Sequence, residues 1–447
     1  MKIETWSAER LSPYARELKK HEKALPKMVA ALQQWGFRIP ILVSSAGEII
    51  DGKLRYLAAV QLGMQEIPVV VADDLTPTQI RTFRLLVNRS ATWADWNDES
   101  LRIEMAELRL ALADLSVTGF DDRELDAILL DAVASGEKDP DSVPEFREPP
   151  VCQVGQVWQL GMHRLMCGDS TQPADVATLM SGEHADMVWT DPPYNVDYSS
   201  PAGKIKNDKM SPAEFLKFLY DLMNSAYDVL VDGGAIYVAH SEAGDGMAFR
   251  SAFQNVGFKL SCCLIWKKNQ LVMGRGDYHW QHEPILYGWK PTGKHVWYGD
   301  RKQRSFFEHF AGSVVQKVSE NVWQVASGDS ILRISGKDLV VEDLASSILS
   351  EPKPKKSELH PTMKPVALVE RMLANSSPRG GLVVDLCGGS GTTLIAAERL
   401  ARRCNMMEYD PRYADVIIRR WQEQTGRVAV LAGSGAPYPQ EVEHDAE

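Results

Sequence analysis

Hydrophobic and polar positions follow regular patterns on both sides of a proline-rich segment at residues 134–150. That segment, ASGEKDPDSVPEFREPP, mixes small and charged residues with four prolines and has no apolar periodicity. Such a composition predicts an exposed linker. A chain of 447 residues also exceeds the usual size of one hydrophobic core. We therefore predict two domains, one on each side of the linker.

Before the linker, residues 1–95 alternate short apolar runs with amphipathic stretches. The runs IPILVSS, GEIID and IPVVVAD predict strands, and KLRYLAAVQLG and TPTQIRTFRLLVNRS predict helices. Residues 96–133 carry helical periodicity alone. The pattern predicts a small α+β domain over 1–95, followed by a helical extension over 96–133.

After the linker, apolar runs typical of buried strands alternate with helical patterns. The strand-like runs are ADMVWTD, GGAIYVAH, KLSCCLIWKK, HEPILYGWK and GLVVDLC, and the helical ones include SPAEFLKFLYDLMNSAYDVL and TTLIAAERLARR. This alternation predicts a mainly parallel, doubly wound α/β sheet over residues 151–432. The polar end, 433–447, predicts a disordered tail.

Composition and charge narrow the class of protein. The chain is 44% hydrophobic and 24% charged, and no run approaches the roughly 20 apolar residues of a membrane helix. The first residues also lack the apolar core of a signal peptide, so we expect a cytoplasmic protein without membrane contact. A net charge of −11 argues against indiscriminate coating of nucleic acid. Six cysteines without a CxxC pair favour buried thiols over zinc ligands.

Two segments of the second domain predict a site for an adenosine-containing ligand. The segment GLVVDLCGGSGTTLIAA, from Gly381, combines an apolar strand, a glycine-rich turn and a helix. Without side chains, a ligand can approach that turn closely. The next strand, CNMMEYD, ends with Glu408, where doubly wound folds place a carboxylate against a ribose diol.

The segment ADMVWTDPPYN suggests a second chemistry, because its apolar strand ends in Asp191, two prolines and Tyr194. Prolines lack N–H donors and leave carbonyl oxygens free to accept hydrogen bonds. The Asp191 carboxylate and the Pro192 carbonyl could accept both N–H groups of an exocyclic base amine, and Tyr194 could stack on the base. A rigid surface turn is the alternative.

These motifs resemble those of the beta-class amino-methylating DNA methyltransferases. The family signature is the (D/N/S)PP(Y/F/W) tetrapeptide with an FxGxG cofactor loop, and here the tetrapeptide precedes the loop, as in the beta class. CGDS from Cys167 and HPTMKP from His360 also match, and the resemblance covers about residues 151–430. Cys387 departs from the pattern, since the family usually has phenylalanine there. The resemblance implies a Rossmann-like methyltransferase sheet and S-adenosylmethionine as cofactor.

The resemblance also implies roles for individual residues. Those implied for the target amine are Asp191, Pro192, Pro193 and Tyr194. Those implied for the cofactor are Asp169 at the adenine edge, Glu408 at the ribose, Asp385, Gly389 and Gly391 at the methionine end, and Thr362 with Lys364 at its carboxylate. No metal is expected. HWQHEP contains His279, His282 and Glu283 but falls where the family has an ordinary strand.

The implied substrate is a flipped base in double-stranded DNA. In this family DPPY accompanies mostly adenine N6 and SPPY cytosine N4, so adenine leads and cytosine is the alternative. The insert at about 291–358 occupies the place of the family's target-recognition region. Its candidates for base and phosphate contact are Trp297, Tyr298, Arg301, Lys302, Arg304, Phe306 and Phe307. An inactive fold serving a DNA-binding regulator, methylation of RNA or protein glutamine, and a homodimer remain open.

Residues 1–95 resemble the ParB and sulfiredoxin superfamily. The similarity lies in GEIIDGKLRYLAA, from Gly47, with the following LG and IPV. Where ParB proteins bind a nucleotide through a segment rich in glycine and arginine, this chain has only Lys53 and Arg55. It has no counterpart of sulfiredoxin's catalytic cysteine. The resemblance implies a smaller ParB-like domain that associates with DNA, with a protein or nucleotide partner left open.

Overall fold

The chain divides into two compact units, Met1–Glu137 and Lys138–Glu447, in a computed structural model. The structure describes residues 2–15, 21–90, 93–111, 114–130, 138–196, 199–200, 203–204, 208–241, 245–272, 280–299, 314–319, 322–327, 330–335, 348–349 and 363–439. No helix in these ranges is long and apolar enough to cross a membrane.

A four-stranded sheet organises the first unit. Its strands are β1 (Ile3–Ser7), β2 (Ile41–Ser44), β3 (Ile49–Asp51) and β4 (Glu66–Ala72). The order is β1-β4-β2-β3, with β2 parallel to β4 and the outer strands antiparallel to their neighbours. Alternate residues, Ile41 and Val43 in β2 and Ile67 and Val69 in β4, are fully buried. Side chains alternate across a strand, so this pattern places one face of the sheet on the core.

The helices of the first unit follow the apolar periodicity of the sequence. They are α1 (Leu25–Trp35), α2 (Lys53–Gln61), α3 (Pro77–Ser90), α4 (Asp98–Leu110) and α5 (Asp122–Leu129), with short 3-10 helices at Ala8–Arg10 and Leu115–Thr118. Asn97 caps α4 by accepting from the amide of Ser100, and Asp121 and Glu124 form a capping box at α5. These caps satisfy amides that lack helical partners and fix where the two helices begin.

The second unit is built on a large sheet flanked by helices. Its strands are β5 (Val157–Leu160), β6 (His163–Cys167), β7 (Ala185–Thr190), β8 (Ser199–Ser200), β9 (Gly203–Lys204), β10 (Leu230–Ala239), β11 (Lys259–Val272), β12 (Trp280–Trp289), β13 (Val314–Ser319), β14 (Val322–Ser327), β15 (Ser330–Ser335), β16 (Ile348–Leu349), β17 (Leu382–Asp385), β18 (Arg403–Glu408) and β19 (Val430–Leu431). Its helices are α6 (Pro173–Met180), α7 (Pro212–Val229), α8 (Gly246–Val256), α9 (Val366–Ser376), α10 (Thr392–Arg399) and α11 (Pro411–Thr425).

The sheet order confirms the predicted doubly wound α/β architecture. Ten strands lie in the order β16-β11-β12-β10-β7-β17-β18-β6-β5-β19, and those from β10 to β6 run parallel. From β7 the chain continues outward to β10, whereas from β17 it continues outward to β18 on the other side. The boundary between β7 and β17 is therefore a topological switch point, where such folds bind ligands outside the carboxyl ends of the strands.

Most of the predicted linker, residues 138–150, belongs to the second unit and packs on its helices, so it is not an exposed connection. The Asp141 carboxylate accepts the Val366 amide at the start of α9, at 2.8 Å. Arg420 donates to the Pro140 carbonyl at 2.7 Å, and the Phe146 ring meets Tyr413 edge-on. Residues 138–150 form no regular element, and their carbonyls accept hydrogen bonds from side chains of α11 instead.

The predicted disordered tail also begins too early, because residues 433–439 are described and partly held by the sheet. Tyr438 is 1% exposed, its amide donates to the Ala429 carbonyl, and its ring meets Trp158 edge-on. The buried Tyr438 side chain thus holds this short segment of small and polar residues against the sheet. Residues 440–447 lie outside the described part of the chain.

The insert at 291–358 contains a separate antiparallel sheet of β13, β14 and β15. Trp297 and Tyr298, expected to contact DNA, lie where the insert leaves the main sheet. The Tyr298 amide donates to the Asn375 carbonyl at the end of α9, and the Trp297 ring approaches Tyr287 of β12. Both residues therefore contribute to packing of the insert. The other candidates, Arg301, Lys302, Arg304, Phe306 and Phe307, fall outside the described residues.

Candidate active site

The site lies where the carboxyl ends of β7, β17 and β18 meet. β7 and β17 are buried apolar strands, and each ends next to a carboxylate, Asp191 after β7 and Asp385 in β17. β18 is the neighbour of β17 and ends at Glu408. The predicted residues of both motifs thus share one edge of the sheet.

The glycine-rich loop after β17 depends on missing side chains. Gly391 has φ +83°, and a Cβ there would lie 3.1 Å from Ile417. A Cβ on Gly388 would lie 2.8 Å from Met406 of β18. The backbone therefore turns tightly against β18 and α11 before α10 begins at Thr392.

Asp385, at the end of β17, stabilises this loop through hydrogen bonds. The side chain is 2% exposed, and it accepts from the Thr393 hydroxyl at 2.6 Å and from the Cys387 amide at 3.0 Å. Burial raises the pKa of Asp385 to about 8. Its contacts bind the two sides of the glycine loop together.

Glu408 links the end of β18 to the same loop. One carboxylate oxygen accepts the Gly389 amide at 2.8 Å, and the other accepts the Asp410 amide at 2.9 Å. Burial raises the pKa of Glu408 to about 7. A Cβ added to Gly389, at φ +53°, would point into open space. The carboxylate therefore bonds to a glycine whose side-chain position is open space.

Asp169 follows β6, the next strand of the sheet. Its Oδ1 accepts from both the amide and the hydroxyl of Thr171, at 2.9 and 2.7 Å. The preceding Gly168 amide donates to the Glu408 carbonyl at 3.0 Å, which fixes Asp169 beside the end of β18. Thr362, predicted at the cofactor carboxylate, lies outside the described residues.

Asp191 and Tyr194 form a network with Lys364. The Tyr194 hydroxyl donates to Asp191 Oδ1 at 2.7 Å, and Lys364 Nζ donates to Asp191 Oδ2 at 2.6 Å. Lys364 Nζ also lies 3.0 Å from the Tyr194 hydroxyl oxygen. The structure thus brings Lys364, predicted at the cofactor, into contact with the tetrapeptide. Pro192 is buried and Pro193 half-buried between the two polar residues.

Glu283, in β12, completes the network. From the sequence, no metal is expected, and this residue is considered only as a metal ligand. Its carboxylate lies 3.1 Å from Lys364 Nζ and 3.4 Å from the Tyr194 hydroxyl. β12 is antiparallel to β10, so the beginning of β12 lies at the carboxyl ends of the parallel strands. In the sequence, the feature that could have indicated a functional role for Glu283 is an acidic residue near the start of a strand that is otherwise rich in apolar residues.

Two further residues hold the chain after the tetrapeptide. Asn195 has φ +60°, and its side chain exchanges hydrogen bonds with the Met210 backbone, accepting at 2.6 Å and donating at 3.1 Å. Asp208, 3% exposed, accepts the Tyr194 and Val196 amides at 3.1 and 3.3 Å. Sequence reasoning ended its motif at Tyr194 and assigned neither residue a role.

Comparison with known proteins identifies the family. The model of the DNA methylase family that acts on N6 or N4 amines matches residues 185–419, which is more than half of the chain. The chain belongs to the N6/N4 DNA methylase family. The match runs from the first residue of β7 into α11, so it contains both the tetrapeptide and the glycine loop. S-adenosylmethionine, the methyl donor of this family, is the cofactor of this methylase.

The chain is also similar to curated DNA methyltransferases and to a solved methyltransferase structure. The methylase is 25% identical over 262 residues to "Type II methyltransferase M2.DpnII" of Streptococcus pneumoniae, across 55% of this chain and 85% of that protein. It is 24% identical over 253 residues to "DNA adenine methyltransferase YhdJ" of Escherichia coli (strain K12), across 53% and 76%. The crystal structure of an M1.HpyAVI–SAM complex is 19% identical, covers 57% of this chain and 97% of its own, and gives a TM-score of 0.38.

The N-terminal part of the methylase matches a second model, the ParB-methyltransferase HTH domain, over residues 99–154. This range contains α4 and α5 and continues through the segment that packs on the second unit. A ParB-like domain in the N-terminal part is thus confirmed, and the match falls on the predicted helical extension and linker. A ParB-like fold over residues 1–95 stays a prediction.

Proposed function

We propose that the methylase transfers a methyl group to the N6 amine of adenine at specific sites in double-stranded DNA. The observation that carries this proposal is a carboxylate, Asp191, placed at the switch point and followed by the Pro192 carbonyl. An exocyclic amine offers two N–H donors, which these two acceptors match. A relative named as a DNA adenine methyltransferase supports adenine over cytosine.

The target base must leave the duplex to reach Asp191, because a paired amine is shielded within the base stack. S-adenosylmethionine, when bound, supplies an electrophilic methyl group on a sulfonium. Asp191 and Pro192 accept from the amine and favour the form whose lone pair faces the methyl group. Tyr194 stacks on the base, and its hydroxyl bond to Asp191 orients the ring. Holding the nitrogen and the methyl group together supplies much of the acceleration.

The cofactor lies in the open space beside Gly389 in this proposal. Glu408 binds the ribose diol through carboxylate lone pairs beyond those that accept the Gly389 and Asp410 amides, and Asp169 accepts from the adenine edge. The glycine loop, braced by Asp385, leaves room for the methionine end. The ParB-like first unit brings the enzyme to chromosomal DNA, and the methylase therefore works in the cytoplasm.

Base analysis of methylated DNA tests the target atom. The full chain is incubated with labelled cofactor and with a random-sequence DNA duplex, an RNA duplex or a protein substrate, and the DNA is digested to nucleosides. We expect N6-methyldeoxyadenosine. N4-methyldeoxycytidine would show that cytosine N4 is the target and not adenine N6. Label in RNA or protein alone would contradict the proposal.

A further inference from the structure

We propose that Lys364 and Glu283 belong to the pocket of the target base, where Lys364 positions Asp191 and Tyr194 and Glu283 positions Lys364. The inference rests on the proposed amine methylation. It replaces the expectation that Lys364 holds the carboxylate of the cofactor.

The geometry of the ammonium carries the first step. A lysine ammonium has three N–H donors. Three acceptors, on Asp191, Glu283 and Tyr194, lie 2.6, 3.1 and 3.0 Å from Lys364 Nζ. The Lys364 side chain is 3% exposed. A cofactor carboxylate would have to draw this buried ammonium away from two carboxylates, and a buried charge left without its partner is strongly destabilising.

The charge of the cluster gives Glu283 a role in the reaction. Asp191 and Glu283 carry −1 each and Lys364 carries +1, so together they carry −1. When the nitrogen takes the methyl group, the carbon–sulfur bond of the sulfonium would break and release a neutral thioether, and the nitrogen would carry positive charge until one of its protons passes to the Asp191 carboxylate. A fixed charge of −1 beside the nitrogen stabilises that change without rearrangement of solvent. Without Glu283, Asp191 and Lys364 would neutralise each other.

Lys364 remains protonated in this environment. Burial lowers the pKa of Lys364, but the carboxylates of Asp191 and Glu283 raise it by more than burial lowers it. The pKa of Lys364 therefore lies above its ordinary value. The residue therefore acts as a fixed cation and does not accept the proton of the amine.

Cofactor binding by Lys364→Met separates the two assignments. If Lys364 belongs to the base pocket, calorimetry will show S-adenosylmethionine bound as tightly as by the wild type or more tightly, because the cluster becomes more negative. A tenfold or greater loss of affinity would return Lys364 to the cofactor and overturn the proposal. Lys290→Met is the matched control, since Lys290 is a half-buried lysine that donates to the Tyr227 and Leu230 carbonyls.

Charge counting gives a second test. Glu283→Gln should lower kcat about tenfold or more, with the cofactor affinity unchanged. The acid limb of its kcat profile should move to lower pH, because a neighbouring negative charge that disfavours ionisation of Asp191 has been removed. In Lys364→Met the carboxylates of Asp191 and Glu283 face each other without a cation, and their repulsion displaces Asp191 from its position. The double variant Lys364→Met/Glu283→Gln removes that repulsion, restores a cluster charge of −1 and should be more active than Lys364→Met. Glu183→Gln, which breaks an exposed pair with Arg403, is the control.

Each result decides the proposal. Unchanged kcat and an unchanged acid limb in Glu283→Gln would overturn it even if Lys364→Met failed to fold. A double variant no more active than Lys364→Met would remove the role of cluster charge. If the wild type methylates no exocyclic base amine, the proposed function fails instead, and cofactor calorimetry still decides where Lys364 belongs.

Discussion

The ammonium nitrogen of Lys364 lies 2.6 Å from Oδ2 of Asp191, although 173 positions separate the two residues in the chain. Lys364 stands just before α9, and Asp191 follows β7. The fold thus converts two distant sequence motifs into one polar cluster. Because of this contact, a substitution of either residue changes the hydrogen bonds of the other.

Asp191→Ala should abolish methyl transfer and leave cofactor binding nearly normal, because Asp191 is assigned to the amine. Loss of a positioned proton acceptor typically costs about 10²–10⁴-fold. The fold should survive, since Glu283 still pairs with Lys364. Methyl incorporation into duplex DNA and calorimetry with the cofactor provide the measurement. A fully active variant would contradict the assignment of Asp191.

Glu408→Ala should weaken S-adenosylmethionine binding by roughly 10–100-fold, as expected when a hydrogen bond to a charged group is lost. The variant also releases the Gly389 amide, so part of the loss comes from a looser glycine loop. Calorimetry measures the affinity, and Glu423→Ala, on the exposed side of α11, is the control. Equal affinities in Glu408→Ala and the wild type would exclude Glu408 from the cofactor site.

The stability of the cofactor-free enzyme should fall as the pH rises from about 4 to 8. Burial raises the pKa of Asp385 to about 8 and that of Glu408 to about 7. The folded chain therefore keeps protons that the unfolded chain loses near pH 4, and this stabilisation disappears as the pH passes 7 and 8. Denaturant titrations of the wild type and Asp385→Asn will measure the effect. Asp385→Asn should show a flatter dependence, and an identical one would disprove the contribution of Asp385.

Asn195→Ala should lower kcat without changing cofactor affinity, because Asn195 ties the tetrapeptide loop to Met210. The residue has φ +60°, so alanine also introduces backbone strain. Asn195→Gly separates the two effects, since glycine accepts this φ but makes no side-chain hydrogen bond. We expect both variants to be impaired in single-turnover assays. Wild-type activity in Asn195→Gly would leave strain as the only effect.

Two truncations should behave differently. Removal of residues 1–137 should leave a folded unit that binds the cofactor, whereas removal of residues 1–150 should destabilise it. The longer deletion takes away the Asp141 cap of α9 and the Pro140 carbonyl that accepts from buried Arg420. A buried polar group without a partner costs about 1–3 kcal/mol. Thermal unfolding compares the two, and equal melting temperatures would contradict the role of residues 138–150.

The sequence predicted the strand ends because strong local signals mark them. Asp191, Asp385 and Glu408 each stand at the end of an apolar strand, and proline or glycine residues follow Asp191 and Asp385. Parallel strands align their carboxyl ends, so order along the chain was enough to bring these residues to one edge of the sheet. The family resemblance then supplied the reaction and the cofactor.

The contacts of Glu283 and Asp141 could not be predicted in the same way. Glu283 faces the pocket only because β12 runs antiparallel to its neighbour, and an apolar run does not reveal strand direction. Asp141 lies in a segment whose proline content indicates the absence of regular structure. Composition of that kind does not indicate whether the segment packs against another surface.

The chain contacts one end of α9 where it enters the insert, and it leads into the other end of α9 after the insert. At its entry, the Tyr298 amide donates to Asn375 near the end of α9, and at its exit the chain reaches Val366 at the start of α9. A helix rises about 1.5 Å per residue, so about 14 Å separate the two attachments. This spacing is set by α9 and is independent of the sequence between. Segments of different length could therefore occupy this interval without changing the distance between the two ends of α9.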